Sequence, residues 1–174
     1  ALRAGKHVFC EKPLAIRSDH AEEMAALARA KGLVLGCHYN QRQSDYVKAL
    51  RRAAGDGLLG EVYQANVRWM ARWTRFMFDA RTSWRLQPEK SGGGIFIGRG
   101  SHMIDAIWWI LGRPGVRSIR ADTHSRLTGS EVDDFASAVL RLDGGAVVNV
   151  QCSYVAHLAP FRERIQFELY GTAG

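Results

Sequence analysis

The sequence of 174 residues predicts an α+β chain: a β-α-β unit, then an open, mainly antiparallel sheet covered on one face by helices. Three observations lead there. Apolar runs at His7 to Cys10 and Leu33 to Cys37 flank a stretch of helical periodicity, the order of a β-α-β unit. Tyr63, Ala65, Val67 and Trp69 then alternate with Gln64, Asn66 and Arg68, as in a strand with one covered face. Asp143-Gly144-Gly145 separates two further strand patterns and reads as a hairpin.

The elements follow in order. A short buried strand, Lys6 to Cys10, leaves into Glu11-Lys12-Pro13. Ligands of open α/β sheets bind beyond the carboxyl ends of the strands, which marks Lys12, and Pro13 permits a cis peptide before it. Ser18 is expected to cap a helix to Lys31, with Met24, Leu27 and Ala28 inward and Gly32 as its stop. Leu33 to Cys37 is a second buried strand, parallel to the first, ending in His38-Tyr39-Asn40-Gln41-Arg42. The domain boundary is placed here, giving residues 1–40 and 41–174. A helix from Ser44 or Asp45 to Ala54, with Val47 and Leu50 inward, ends at Gly55. Beyond the strand at Tyr63, further strands are expected at Phe135 to Leu142, Ala146 to Tyr154 and Arg164 to Tyr170. Between them, Gly92 to Gly94 permit close backbone approach, Ile95 to Ile97 read as strand, and Gly98-Arg99-Gly100 as a turn. Ser101 is expected to cap an almost wholly apolar, hence buried, helix to Leu111, stopped by Gly112 and Pro114.

An apolar fraction of 47% with 24% charged residues excludes a disordered chain, and no apolar run reaches the roughly 18 residues of a membrane span. The first residues lack the apolar core of a signal peptide, so cytoplasm is the expectation. Cys10, Cys37 and Cys152 are too scattered for a disulfide framework and are expected as buried thiols. The net charge of +7 is spread along the chain, which suits an anionic cofactor or substrate as well as a nucleic acid. Lacking an initial methionine and opening on Ala4-Gly5 as on a helix tail, the chain reads as a fragment.

His102 and Asp105 are polar residues in a buried helix, three apart and so on one face. They are either substrate-facing groups or structural ones, with His102 bonded to a carbonyl and Asp105 to an arginine. A position near the helix N-terminus would disfavour imidazolium and suit a proton acceptor. No His-x-x-x-His or cysteine pair completes a zinc set, and no Gly-x-Ser-x-Gly occurs. Arg72, Trp73, Arg75, Phe76, Phe78, Arg81, Trp84 and Arg85 form a basic-aromatic segment, read as a site or interface loop in preference to a base-stacking surface. A dinucleotide fingerprint, Gly-x-Gly-x-x-Gly, is absent, since Met103 follows Gly98-Arg99-Gly100 where the third glycine would stand.

The succession GKHVFCEKPLA, YNQR, GLLGEV, WRLQPEKSGGG, GSHMID and EVDDFASAVLRLDGG resembles the Gfo/Idh/MocA oxidoreductases over essentially the whole chain. The resemblance implies the end of a Rossmann domain that binds NAD or NADP in residues 1–40, without its glycine-rich phosphate loop. It implies a substrate-binding and oligomerisation domain, incomplete at its C-terminus, in residues 41–174. It implies Lys12 as the catalytic lysine that lowers a substrate hydroxyl's pKa, and His102 as the group taking the proton while hydride passes to or from nicotinamide. Asp105, Trp84 and Arg99 would meet the substrate, while Glu11, Lys12, Pro13, Asn40 and Arg42 would line the cofactor end. Many members carry an aspartate four residues before the histidine, where this chain has Gly98. That departure leaves open a different substrate such as a cyclic diol, a substitute role for Arg99 or Asp105, or weakened catalysis. The expected function is hydride transfer to or from a sugar, cyclitol or related cyclic polyol. A homo-oligomer through the sheet is implied, with no membrane or nucleic-acid partner, no metal, and no activity in this chain alone. The alternative is a non-catalytic binding or assembly module.

Overall fold

The computed structural model describes residues 1–72, 84–126, 129–159 and 162–174. The chain divides into two compact units, Ala1–Asn40 and Gln41–Gly174. Trp73, Arg75, Phe76, Phe78 and Arg81 of the basic-aromatic segment lie outside the described residues.

In the first unit, β1 (Val8–Glu11) and β2 (Leu35–His38) pair in parallel across helix α1 (Ser18–Ala30). The β-α-β order is as expected, but the strands are not buried throughout. Alternation puts Phe9 on the open face, 74% exposed, while Val8 and Cys10 are half-buried on the other. Gly36 lies beneath the Phe9 ring, where a Cβ would come within 2.8 Å of a ring carbon. Ser18 is the first helical residue and not the cap, which is Arg17, whose guanidinium instead pairs with Asp19.

In the second unit, helix α2 (Asp45–Gly55) precedes β3 (Val62–Ala71), and the short helix α3 (Pro88–Ser91) leads to helix α4 (Ser101–Ile110). The strands β4 (Val116–His124), β5 (Phe135–Leu142), β6 (Val147–Ser153) and β7 (Glu163–Gly171) complete a sheet of order β4-β5-β6-β3-β7. Every neighbouring pair is antiparallel except β3 with β6. The hairpin at Asp143 turns through Gly144 and Gly145 at φ 85 and 92, a left-handed path that glycine takes without strain. β4 has no counterpart in the sequence reading. It is an edge strand exposed along nearly its whole length, so no apolar alternation advertises it.

The register builds the core row by row. Ala136, Cys152, Trp69 and Ile165 face one another across four strands, as do Ala138, Val150, Val67 and Phe167. The small residues beside Trp69 make room for its ring within the close packing of a protein interior. Met103, Ala106, Ile107 and Ile110 of α4 cover this face together with Val47 of α2. Burying the two isoleucines contributes about 1.5–3 kcal/mol each. Arg51 of α2 stacks 4.7 Å over the Trp109 ring and donates to the Trp109 carbonyl, placing a cation at the C-terminal end of α4.

Ile95 to Gly100 overturn the local reading of strand then turn. Phe96–Gly100 form a π-helical turn that runs straight into α4. Ile95 and Gly100 both have right-handed helical backbone, and Gly98 N donates to the Gly94 carbonyl at 2.9 Å. Ser101 therefore caps nothing: its Oγ donates back to the Ile97 carbonyl at 2.7 Å. The cap comes from Asp133, whose Oδ1 accepts from Gly94 N at 2.7 Å and Oδ2 from Phe96 N at 2.8 Å. A carboxylate at this end is stabilised both by hydrogen bonds and by the helix dipole.

Candidate functional site

In the first unit, the polar residues gather where β1 and β2 end. Glu11 and His38 are in register, with His38 Nδ1 3.1 Å from Glu11 Oε1. That hydrogen bond, before any other influence, holds the Glu11 carboxyl below its ordinary range. The Lys12 amide donates to Glu11 Oε2 at 3.3 Å, and the Lys12-Pro13 peptide is cis. Lys12 is half-buried, and Asn40 is exposed at the unit's end.

In the second unit, α4 and its π-turn bring Gly98, Arg99 and His102 over the end of the sheet. His102 is 5% exposed, and its ring tilts against Trp69 with centroids 5.7 Å apart. The Arg99 guanidinium lies 4.4 Å over the same indole and reaches Glu163 at 3.3 Å. Trp69 thus carries both groups, a guanidinium held by cation-π attraction and an imidazole by ring contact. Because helical backbone starts near Ile95, His102 lies in the second turn of the run. The dipole's effect fades within the first turn, so the N-terminal argument for a neutral imidazole does not apply.

Asp105, one turn further along, is bound by Arg42 in a fork of 2.8 and 2.5 Å. The aspartate side chain is 10% exposed and the arginine 27%. The structure therefore brings together Arg42, read as a cofactor-end residue, and Asp105, read as a substrate residue. Trp84 is 51% exposed, with the Arg85 guanidinium 4.9 Å over its ring. Glu11, Lys12, Pro13 and Asn40 belong to the first unit; Arg42, Trp84, Arg99, His102 and Asp105 belong to the second.

Sequence reasoning missed four members of this cluster. In the sequence Trp69 stands on the covered face of an expected strand, Tyr154 ends another, Asp133 lies within a motif, and Glu163 belongs to no pattern, so none of the four carries a site signal. Tyr154 is 5% exposed, and a Cβ at Gly98 would fall 2.9 Å from its hydroxyl oxygen. Burial pushes the Tyr154 hydroxyl's pKa up, against the pull of Arg99 and Arg85, so it stays a neutral hydrogen-bonding group.

A family model described as the GFO/IDH/MocA C-terminal domain matches residues 47–174. A second, described as the oxidoreductase family's NAD-binding Rossmann fold, matches residues 1–39. The chain is 31% identical over 175 residues to 1,5-anhydro-D-fructose reductase of Ensifer adhaerens, covering 100% of this chain and 50% of that protein. It is 37% identical over 127 residues to D-glucoside 3-dehydrogenase of Escherichia coli (strain K12), covering 73% of this chain and 35% of that protein. Among solved structures, levoglucosan dehydrogenase in complex with NADH and levoglucosan superposes with a TM-score of 0.86 at 26% identity, over 98% of this chain and 47% of that one. The chain thus spans half or less of the length of these relatives.

Proposed function

The chain belongs to the GFO/IDH/MocA family of oxidoreductases, and on that basis we propose that it is the portion of an NAD- or NADP-dependent enzyme acting on a sugar, cyclitol or related cyclic polyol. One observation carries the reading: the two family models match the two compact units in order, at residues 1–39 and 47–174. The relatives' names supply the substrate class. The first unit is then the end of the dinucleotide-binding domain, and the second the substrate-binding domain, which also assembles the oligomer through its sheet.

Bound nicotinamide supplies the site that takes or gives a hydride. The carboxyl edge of the parallel pair offers Glu11, Lys12, His38 and Asn40, a mixed set of donors and acceptors suited to an amide-bearing ring. Lys12 places a cation by the reacting hydroxyl and lowers its pKa, and His102 accepts the proton, fixed in orientation by Trp69. Arg99 places a guanidinium for substrate oxygens, and Trp84 an apolar ring face for the sugar. The Arg42–Asp105 fork fixes both side chains, Arg42 as the residue proposed for the cofactor and Asp105 as the residue proposed for the substrate.

The test joins this chain to a complete nucleotide-binding domain and offers NAD or NADP with a panel of polyols, following the reduced nicotinamide absorbance. Lys12→Ala and His102→Ala are each expected to lower kcat by about 10²–10⁴-fold. Undiminished turnover in Lys12→Ala would refute the lysine's role. Cofactor binding without turnover on any polyol would point to the non-catalytic module.

A further inference from the structure

Arg99 is held from two sides. Its guanidinium lies 4.4 Å over the Trp69 ring, and its Nη2 stands 3.3 Å from Glu163 Oε1. The arginine side chain is 21% exposed and the glutamate 28%, so solvent screens the pair only in part. The sheet register explains the meeting. Trp69 pairs with Ile165 and Ala71 with Glu163, so alternation puts Glu163 on the face of Ile165, the covered face that also carries the indole. Asp105 holds Arg42 in a similar pair, the fork at 2.8 and 2.5 Å. Arg85 and Asp133 act on the Tyr154 hydroxyl with opposite sign. Among the described residues of this cluster, Arg42, Arg85 and Arg99 are therefore matched in number by Asp105, Asp133 and Glu163.

We infer that Glu163 is a specificity-determining residue: by pairing with Arg99 it sets the site for an uncharged polyol and against the corresponding sugar acid. The inference rests on the reading of Arg99 as a substrate residue. A substrate hydroxyl accepts a hydrogen bond from a guanidinium that already has a carboxylate beside it, because the hydroxyl brings no charge of its own. A substrate carboxylate at the same guanidinium would stand near Glu163 as well, and two like charges sharing one partly buried cation repel. Without Glu163, Arg99 would present a guanidinium on an aromatic face, and the planar fork is the group best matched to a carboxylate. Selectivity is a difference between two affinities, and a like charge placed against the unwanted ligand is enough to supply it.

The experiment titrates the enzyme joined to its nucleotide-binding domain, with NAD or NADP bound, by calorimetry with methyl glucoside and with methyl glucuronide, which differ in one carboxylate. The glucoside is expected to bind about tenfold more tightly than the glucuronide. Glu163→Gln keeps the shape and removes the charge. It is expected to raise glucuronide affinity about tenfold and to change glucoside affinity by less than about threefold. In an Arg99→Gln background the same substitution is expected to lose most of that gain, which separates release of the arginine from a loosened sheet end. Equal binding of the two sugars by the unaltered enzyme would overturn the inference. So would binding of neither, or a change in Glu163→Gln that both sugars share. The expected preference without turnover on any polyol would count against the enzymatic reading alone.

Discussion

A methyl group at position 98 would meet the Tyr154 hydroxyl oxygen at 2.9 Å. The clash is not easily relieved, because Tyr154 is buried to 5% exposure within the core cluster. Overpacking of this kind costs about 1–3 kcal/mol. Gly98→Ala is therefore expected to lower the denaturant midpoint, and to cost distinctly less when Tyr154→Phe has removed the hydroxyl. A double-mutant cycle would read the coupling, expected at about 0.5–3 kcal/mol. Additive losses would show that the hydroxyl does not set the requirement for glycine. The same contact bears on the missing aspartate. Read along the chain, Gly98 was a turn residue and its difference from many family members an open question. The hydroxyl that occupies its side-chain space comes from Tyr154, the last residue of the strand expected at Ala146 to Tyr154. A pattern of period two says which face a residue takes, but not which helix residue its far end will meet.

The helical run through α4 shows the same limit for a whole element. Its buried face and its stop at Gly112 were legible, since apolar residues recur throughout and Gly112 takes φ 81. Its beginning was not, because the cap is Asp133, reached only when β5 folds alongside. The three glycines make sense in that light. At Gly94 a Cβ would lie 1.9 Å from the Asp133 carbonyl oxygen, so the close approach anticipated from the sequence occurs there. Asp133→Ala is expected to cost about 1–2 kcal/mol through loss of the cap, seen as a lower urea midpoint at unchanged m. Gly94→Ala is expected to cost more, because it displaces backbone as well as the capping carboxylate. Unchanged stability in Asp133→Ala would mean that the run does not depend on this cap.

Across the molecule, the positive charge is taken up in a way composition could not disclose. Arg51, Arg85, Arg99 and Arg113 lie over Trp109, Trp84, Trp69 and Trp108, so four of the five tryptophans each carry a guanidinium of the same chain. Among the described residues, no helix is long and apolar enough to cross a membrane. The mainly antiparallel sheet was legible because the hydrophobic pattern changes to strand alternation after Gly60. The exposed edge strand β4 was not. The central row of that sheet also sets how the molecule responds to base. Burial first, and then the Asp133 charge, raise the Cys152 thiol from its ordinary 9.0 to about 12. Between those values the unfolded chain has released the proton that the folded chain retains, so stability falls as pH rises through the window. The slope is up to about 1.4 kcal/mol per pH unit, and the whole loss is about 4 kcal/mol. Tyr154 adds a loss of the same sign above its ordinary 10.0, since burial raises it too. Cys152→Ala is expected to be slightly less stable at pH 8, where it leaves a small void, yet to lose stability less steeply towards pH 11. Urea unfolding at the two pH values would measure both effects. An unchanged slope would show that the thiol at the centre of the sheet is not held away from water.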